Sequence, residues 1–351
     1  MSPCSVLYYR YAIFLSIAGF LFLVSCSSPE TEKMRFFLKG NQKLKVNEYK
    51  EAIRFYNEAL EIDPEFADAY NNRGIANYET DQYRKAIDDY NKAILYDGDY
   101  VDAYYNRSNA FYQLRNFKRA LDDLNIVKSS YSDSAYVYFS LGLVYAKLKE
   151  YNEALKNFNL TLAIDSLHSE AYVNRGTVYY YLNEYQKAEH DLLKALEINA
   201  DEANAYNALS LLYSDKEEFD KALNFINKAL EMAPQDPFFL NNRGYVYIQL
   251  KNLPKAIKDI TNSIELDPDN AWAYRNKGLY YLKKNDFEKA IQVLEQGVIL
   301  DNSVDKIYYY LGLAYFKTGD KKDACESWAK SIELKEDESL EVYSKYCQSA
   351  T

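Results

Sequence analysis

The sequence predicts an all-α protein in which one helical hairpin is repeated nine times, and three observations predict this fold. Only 11 Gly and 7 Pro occur in 351 residues, too few for the many turns of a β-sheet protein. From Lys33 the chain is similar to itself at every 34th residue, without insertion or deletion. Position 8 of each repeat is Gly or Ser and position 20 is always Ala, which lets two helices approach closely across a short turn.

The repeat period divides the chain into four parts. Residues 1–25 are expected to form a lipoprotein signal peptide, and residues 26–32 a lipidated cysteine with a short tether. Nine repeats follow, and residues 339–351 are expected to form a terminal capping helix. The repeats span 33–66, 67–100, 101–134, 135–168, 169–202, 203–236, 237–270, 271–304 and 305–338.

The N-terminus has the features of an export signal. Arg10 is the one charged residue among residues 1–25, and an apolar run, too short to span a bilayer comfortably, extends from Ala12 to Val24. The segment from Leu23 to Cys26 resembles the bacterial lipobox, which implies that Cys26 is acylated, with palmitate for example, and begins the mature chain. A lipid anchor in the bacterial cell envelope follows, with the outer membrane favoured over the inner. The alternative is an ordinary secreted protein in which Cys26 occurs by chance.

Composition argues against nucleic-acid binding, metal binding and catalysis. The net charge of −10 repels phosphate backbones. The two histidines, His168 and His190, stand alone in sequence, so a histidine metal site or a serine–histidine triad has almost no material. The glycines do not cluster into a phosphate-binding loop, and no acid–base or nucleophile constellation stands out. We therefore expect a non-enzymatic protein without a cofactor or metal.

The period and its pattern of small residues resemble the tetratricopeptide repeat (TPR) family over residues 33–338. The resemblance implies a right-handed superhelical solenoid whose first helices line a concave groove, and protein or peptide partners that bind there. Similar bacterial TPR lipoproteins serve envelope assembly, secretion or peptidoglycan enzymes, and the sequence does not choose among these. It does not decide the oligomeric state either.

Two charged positions change together between repeats. Position 7 is Arg and position 23 is Asp in the same four repeats, and the other five have neither. The two positions are level when antiparallel helices are joined near position 15, so we expect an ion pair within each of these repeats. The predicted pairs are Arg73 with Asp89, Arg107 with Asp123, Arg175 with Asp191 and Arg243 with Asp259.

Polar and aromatic residues recur at positions that face the groove in the TPR family. Asparagine occupies position 6 in five repeats, and its amide can pair with peptide N–H and C=O groups of any sequence. Aromatic residues around it would supply apolar anchors. The predicted peptide contacts are Asn72, Asn106, Asn174, Asn242, Asn276, Tyr105, Phe139, Tyr245, Trp272 and Tyr309. The alternative is that asparagine is merely a tolerated polar residue on a solvated helix face.

Two further questions stay open at this point. Cys325 and Cys347 remain once the signal and lipidated cysteines are set aside, and an exported protein can bridge them, although spacing alone does not show that they come close.

Groove aromatics such as Tyr245 and Trp272 would also suit sugar rings, so glycan binding is the second function considered. The leading expectation is a membrane-anchored scaffold that binds partner proteins or extended peptides.

Overall fold

The computed structural model describes residues 28–347 and confirms the all-α prediction. Residues 28–347 form nineteen helices and no β-strand. The signal peptide predicted for residues 1–25, the lipidated Cys26 and residues 348–351 lie outside the described part of the chain. The chain divides into two compact units, Met1–Asn116 and Phe117–Thr351, and each is described by itself.

The helix bounds follow the 34-residue period. The first unit contains α1 (Pro29–Lys45), α2 (Tyr49–Ile62), α3 (Ala67–Tyr78), α4 (Tyr83–Tyr96) and α5 (Val101–Gln113). The second unit contains α6 (Phe117–Ser130), α7 (Ala135–Lys147), α8 (Tyr151–Ile164), α9 (Ser169–Tyr181), α10 (Tyr185–Ile198), α11 (Ala203–Asp215), α12 (Phe219–Met232), α13 (Pro237–Gln249), α14 (Leu253–Leu266), α15 (Ala271–Lys283), α16 (Phe287–Leu300), α17 (Ile307–Thr318), α18 (Lys321–Glu333) and α19 (Glu338–Tyr346).

The two helices of a repeat pack against each other as an antiparallel pair. In the second unit α7 packs on α8, α9 on α10 and α11 on α12, and the pattern continues to α17 and α18. The small residue at position 8 permits this approach, because a Cβ added to Gly142 would lie 2.5 Å from Phe158 Cε1. Phe158 is fully buried, so its ring fills the space that the glycine leaves.

The turn between the two helices of each repeat has a left-handed residue at position 15. Gly319 is the one glycine among them, with φ of 92°, and the other eight repeats place a residue with a side chain there. A side chain in this conformation crowds the following carbonyl oxygen, which costs roughly 1–2 kcal/mol for most residues. The eight residues are Asn47, Asp81, Arg115, Lys149, Asn183, Glu217, Lys251 and Asn285.

Glycine at one of these turns is expected to stabilise the protein. Lys149 has φ of 61° and its side chain is exposed, so Lys149→Gly removes strain without removing packing. We expect the free energy of unfolding to rise by about 1 kcal/mol, measured by urea denaturation. The reverse change, Gly319→Ala, adds a Cβ that meets nothing within 4 Å and is expected to lower it by a similar amount. Equal stability of both variants and the parent would contradict the strain.

The first helix begins earlier than the repeat register predicts. Residues 29–32 were expected to belong to a tether, and this expectation is wrong, because α1 starts at Pro29. Ser28 Oγ accepts a hydrogen bond from the Thr31 N–H at 3.2 Å, which caps the helix. Pro29 suits the first turn, and the negative charges of Glu30 and Glu32 interact favourably with the positive end of the helix dipole. No helix within residues 28–347 is long and apolar enough to cross a membrane.

The last helix, α19, packs against α18. It begins at Glu338, one residue before the predicted capping segment, and ends at Tyr346. The Tyr346 ring lies 4.4 Å from that of Phe316 and 6.3 Å from that of Trp328, measured between centroids. Trp328 is fully buried, and α19 therefore covers an aromatic face that the ninth repeat would otherwise expose.

Candidate functional site

The first helices of consecutive repeats form a continuous surface in the second unit. Each of α7, α9, α11, α13 and α15 contacts the next first helix of the row, whereas the second helices pack mainly on first helices. First helices therefore approach one another more closely than second helices do, which places them on the inner, concave side of this unit. We call the row of α7, α9, α11, α13, α15 and α17 the first-helix surface.

The predicted asparagine contacts are joined to one another between repeats. In the second unit, Asn242 Nδ2 donates to Asn207 Oδ1 at 2.8 Å and Asn276 Nδ2 donates to Asn241 Oδ1 at 2.8 Å. The first unit has the same arrangement: Asn72 Nδ2 donates to Asn41 Oδ1 at 2.9 Å and Asn106 Nδ2 to Asn71 Oδ1 at 3.0 Å. Asn174 Nδ2 instead donates to the Glu170 carbonyl of its own helix at 2.8 Å.

These bonds change the role expected of the asparagines. Asn276 is 1% exposed, so the predicted contact between Asn276 and a peptide is wrong in this structure: the amide ties α15 to α13. The other four are partly exposed, and each has already committed one N–H to the protein. Their contact with a ligand stays a prediction. The signal for the structural role was the second asparagine at position 5 of the preceding repeat in three cases.

The predicted aromatic contacts separate into two groups. Phe139 is half-buried on α7, where it packs against the ring of His168 at 4.6 Å between centroids and against the core around Phe158, and its contact with a ligand stays a prediction. Trp272, Tyr245 and Tyr309 lie on the first-helix surface, with Trp272 40% exposed and the two tyrosines half-buried. Tyr105 is half-buried on α5 of the first unit.

Four residues of the first-helix surface form what we call the arginine cluster: Tyr245 of α13, Trp272 and Arg275 of α15, and Tyr310 of α17. The guanidinium carbon of Arg275 lies 5.0 Å from the Trp272 ring centroid and 5.5 Å from that of Tyr245. Tyr245 and Tyr310 pack on the same apolar core around Ile260. Burial raises the pKa of both tyrosines, and the Arg275 charge opposes that shift, so both phenols stay protonated at neutral pH.

An acidic residue lies beside the arginine cluster. Asp215, at the end of α11, accepts a hydrogen bond from Tyr180 Oη at 2.7 Å. Desolvation raises the pKa of the Asp215 carboxyl group above its ordinary value. The hydrogen bond from Tyr180 and the charges of Lys306 and Arg275 oppose this rise without cancelling it. Asp215 is nevertheless open to solvent, as expected for a side chain on a concave surface. The surface thus presents a cation and an anion on separate helices.

The arginines at position 7 have a structural role. Arg175 donates from Nε to Asp191 Oδ2 at 2.6 Å and from Nη2 to Asp191 Oδ1 at 2.7 Å, and Asp191 is 2% exposed. Arg73 with Asp89 and Arg243 with Asp259 form the same two-bond pair. Arg107 and Asp123 fall in different units, and their pairing stays a prediction.

Each of these arginines also holds the preceding repeat. Arg175 Nη1 donates to Asn159 Oδ1 at 2.7 Å, and Asn159 lies at position 25 of the repeat before. The same bond joins Arg73 to Asn57, Arg107 to Asn91 and Arg243 to Asn227. These asparagines were not predicted from the sequence, although position 25 is Asn in every repeat that precedes a position-7 arginine.

Cys325 and Cys347 are joined by a disulfide bond in the structure. Their Cα atoms lie 5.7 Å apart, within the range that a disulfide requires. The bond ties α18 to the end of α19, so the capping helix is held both by its packing and by a covalent link.

Residues 28–347 hold no group of three or more His, Cys, Asp or Glu side chains that could bind a metal ion. The residues that sequence reasoning missed on the first-helix surface are Arg275, Asp215, Tyr180 and Tyr310. None of them recurs at its repeat position in a way that sets it apart, so periodicity gave no signal. They come from four helices of the row from α9 to α17, and only the packing of these helices shows that they share one surface.

The stacked helical hairpins define the chain as a helical-repeat protein, and the family models agree. Models described as tetratricopeptide repeat match residues 67–100, 105–168, 167–235, 237–270, 260–292 and 305–338. A model described as TPR repeat matches residues 40–81 and 278–319. The chain belongs to the tetratricopeptide repeat family. Its fold is typical of protein–protein interaction scaffolds, which are generally non-catalytic.

Solved structures share the fold at low sequence identity. The crystal structure of the APC/C hetero-tetramer Cut9–Hcn1 is 15% identical, with a TM-score of 0.63 over 91% of this chain and 77% of that chain. Pseudomonas aeruginosa PilF is 20% identical, with a TM-score of 0.51 over 59% of this chain and 95% of that chain. Curated protein sequences give no match. These similarities show the fold alone, and they lend no support to glycan binding.

Proposed function

We propose that this protein is a lipid-anchored scaffold of the bacterial cell envelope that binds a partner protein, as an extended segment, on the first-helix surface of its second unit. The observation that carries the proposal is the side chain of Trp272, which stays 40% exposed beside Arg275 on a concave surface. Tryptophan and arginine are enriched among the few residues that dominate the binding energy at protein interfaces.

The surface suits an extended segment better than a small ligand. Arg275, Tyr245 and Tyr310 lie on three successive first helices, and Asp215 and Tyr180 continue the row to α11 and α9. Contacts are thus offered at intervals along the row rather than in one enclosed cavity. Half-buried Asn242 and Asn207 add amide groups that can pair with a peptide backbone.

The anchoring part of the proposal rests on the sequence from Leu23 to Cys26 and on where the first helix begins. An acylated Cys26 would stand three residues before Pro29, and three residues extend at most about 10 Å. The first repeat would therefore be held close to the membrane surface. The mature chain carries 41 basic and 52 acidic residues once Arg10 is removed, so attraction to anionic headgroups would not hold it.

Site-specific photo-crosslinking in the bacterium tests both parts. A photoreactive amino acid at position 272 is expected to capture a protein partner in the membrane fraction. The matched control is position 299, because Ile299 is 76% exposed but lies on α16, a second helix. In the Cys26→Ser variant the protein is expected to leave the membrane fraction.

Two outcomes would contradict the proposal separately. Equal capture from positions 272 and 299 would remove the first-helix surface as the binding site. Retention of the Cys26→Ser variant in the membrane fraction, with no acyl mass on the parent protein, would remove the lipid anchor and leave the binding surface untouched.

A further inference from the structure

We infer that Arg275 is the point on the first-helix surface where a carboxylate side chain of the bound segment is held. This inference rests on the proposed function and deepens it, because it assigns a chemistry to the partner: a segment that brings an Asp or Glu to Arg275 and a basic side chain to Asp215.

The hydrogen bonding of Arg275 sets it apart from the structural arginines. Arg73, Arg175 and Arg243 each donate two bonds to a buried aspartate and a third to an asparagine. Arg275 is only 9% exposed. Its Nε nevertheless has no hydrogen-bond acceptor within residues 28–347. A buried N–H donor without an acceptor is costly, because its lost hydration has no replacement.

The surroundings of Arg275 fix its orientation without neutralising it. The guanidinium carbon lies 5.0 Å from the Trp272 ring centroid and 5.5 Å from that of Tyr245, so both rings attract the cation by cation–π interaction. Aromatic rings accept no strong hydrogen bonds, so the five N–H donors keep their affinity for a planar anion. A carboxylate matches this fork and forms two parallel bonds with it.

The other charges near Arg275 define what else the segment carries. Lys306 Nζ lies 2.5 Å from Glu338 Oε1, so this cation is already paired. Asp215 accepts from Tyr180 and forms no ion pair with Arg275 in the described part of the chain. Asp305, the remaining acidic residue whose charge reaches this region, is exposed. Among residues 28–347, Arg275 is thus a cation without an ion-pair partner beside the exposed carboxylates of Asp215 and Asp305, which favours a segment of mixed charge over a polyanion.

Selection of random peptides displayed on phage, with the full chain in detergent as bait, tests the inference. Peptides selected by the parent protein are expected to share an Asp or Glu. Changing that residue to Asn or Gln in the synthetic peptide is expected to weaken binding roughly 10- to 100-fold, the usual effect of losing hydrogen bonds to a charged group. Arg275→Gln is expected to abolish the acidic preference, and Arg275→Lys to keep part of it.

The matched control is Lys277→Gln, which removes the same charge from the same helix. Lys277 lies two residues after Arg275, about 200° away around the helix axis, so it faces another direction. It is expected to select the acidic peptides as the parent does. Peptides that bind the first-helix surface without an acidic residue, and equally well to Arg275→Gln, would overturn the carboxylate inference and leave the proposed function standing. Failure to select any peptide would contradict both. The synthetic peptide pair needs no protein variant, so the test holds even if Arg275→Gln unfolds.

Discussion

Arg175→Leu is expected to lower the free energy of unfolding by about 3–5 kcal/mol, the usual cost of removing one partner of a buried ion pair. Asp191 would be left 2% exposed with two lost hydrogen bonds, and Asn159 of the preceding repeat would lose a third. The loss comes mainly from the uncompensated charge of Asp191, since leucine is about as large as the part of the arginine side chain that packs between the helices.

Chemical denaturation of the single and double variants measures this effect. The variant with both Arg175→Leu and Asp191→Leu is expected to recover most of the stability, because it buries no unpaired carboxylate. Repeats 4, 6 and 9 carry leucine at position 7 without an aspartate at position 23, so the combination suits this fold. A double variant that is no more stable than Arg175→Leu would show that the pair is not the source of the loss.

Gly142→Ala is expected to lower the free energy of unfolding by about 3 kcal/mol, the upper part of the range for overpacked cores. The new Cβ would lie 2.5 Å from Phe158 Cε1 and 2.6 Å from Phe158 Cδ1. Phe158 cannot give way easily, because it is fully buried and packs against Phe139 at 6.0 Å between centroids. Thermal unfolding followed by circular dichroism measures the shift.

A second change distinguishes a local clash from a general intolerance of the helix. Repeat 6 has Ser210 at position 8 and the smaller Ile226 at position 24, the counterpart of Phe158. Adding Phe158→Ile to Gly142→Ala is therefore expected to restore part of the stability. Gly98→Ala, whose Cβ meets nothing within 4 Å, is expected to change it by less than about 0.5 kcal/mol. Equal losses in Gly98→Ala and Gly142→Ala would contradict the packing account.

Repetition explains why so much of the fold was predictable. Each repeat samples the same environment, so Ala at position 20 reports close packing in nine repeats, and Arg with Asp reports pairing in four. The start of α1 was misjudged because a helix end depends on local capping by Ser28 and Pro29, which the repeat register ignores. The capping pattern was nevertheless present in the sequence.

The candidate site was less predictable for a physical reason. Position 5 is Arg only in repeat 8, and a single occurrence cannot show whether the side chain is paired. That depends on Tyr245, Trp272 and Asp215, which come from three helices and from no shared repeat position. Asn276 was misjudged in the opposite direction: the recurrence of asparagine at position 6 suggested a contact with a ligand, whereas the Asn276 amide is buried and joins α15 to Asn241 of α13.

The bond from each position-7 arginine to the preceding repeat has a consequence for how the array unfolds. In a linear repeat protein, stability is close to a sum of intrinsic repeat terms and nearest-neighbour terms. The arginine links join repeats 1 to 2, 2 to 3, 4 to 5 and 6 to 7, and repeats 8 and 9 have no arginine at this position. Neighbour coupling is therefore uneven along a chain whose period is uniform. Linked repeats open together as cooperative blocks, and amide hydrogen exchange should step at the block boundaries rather than fade smoothly from the ends.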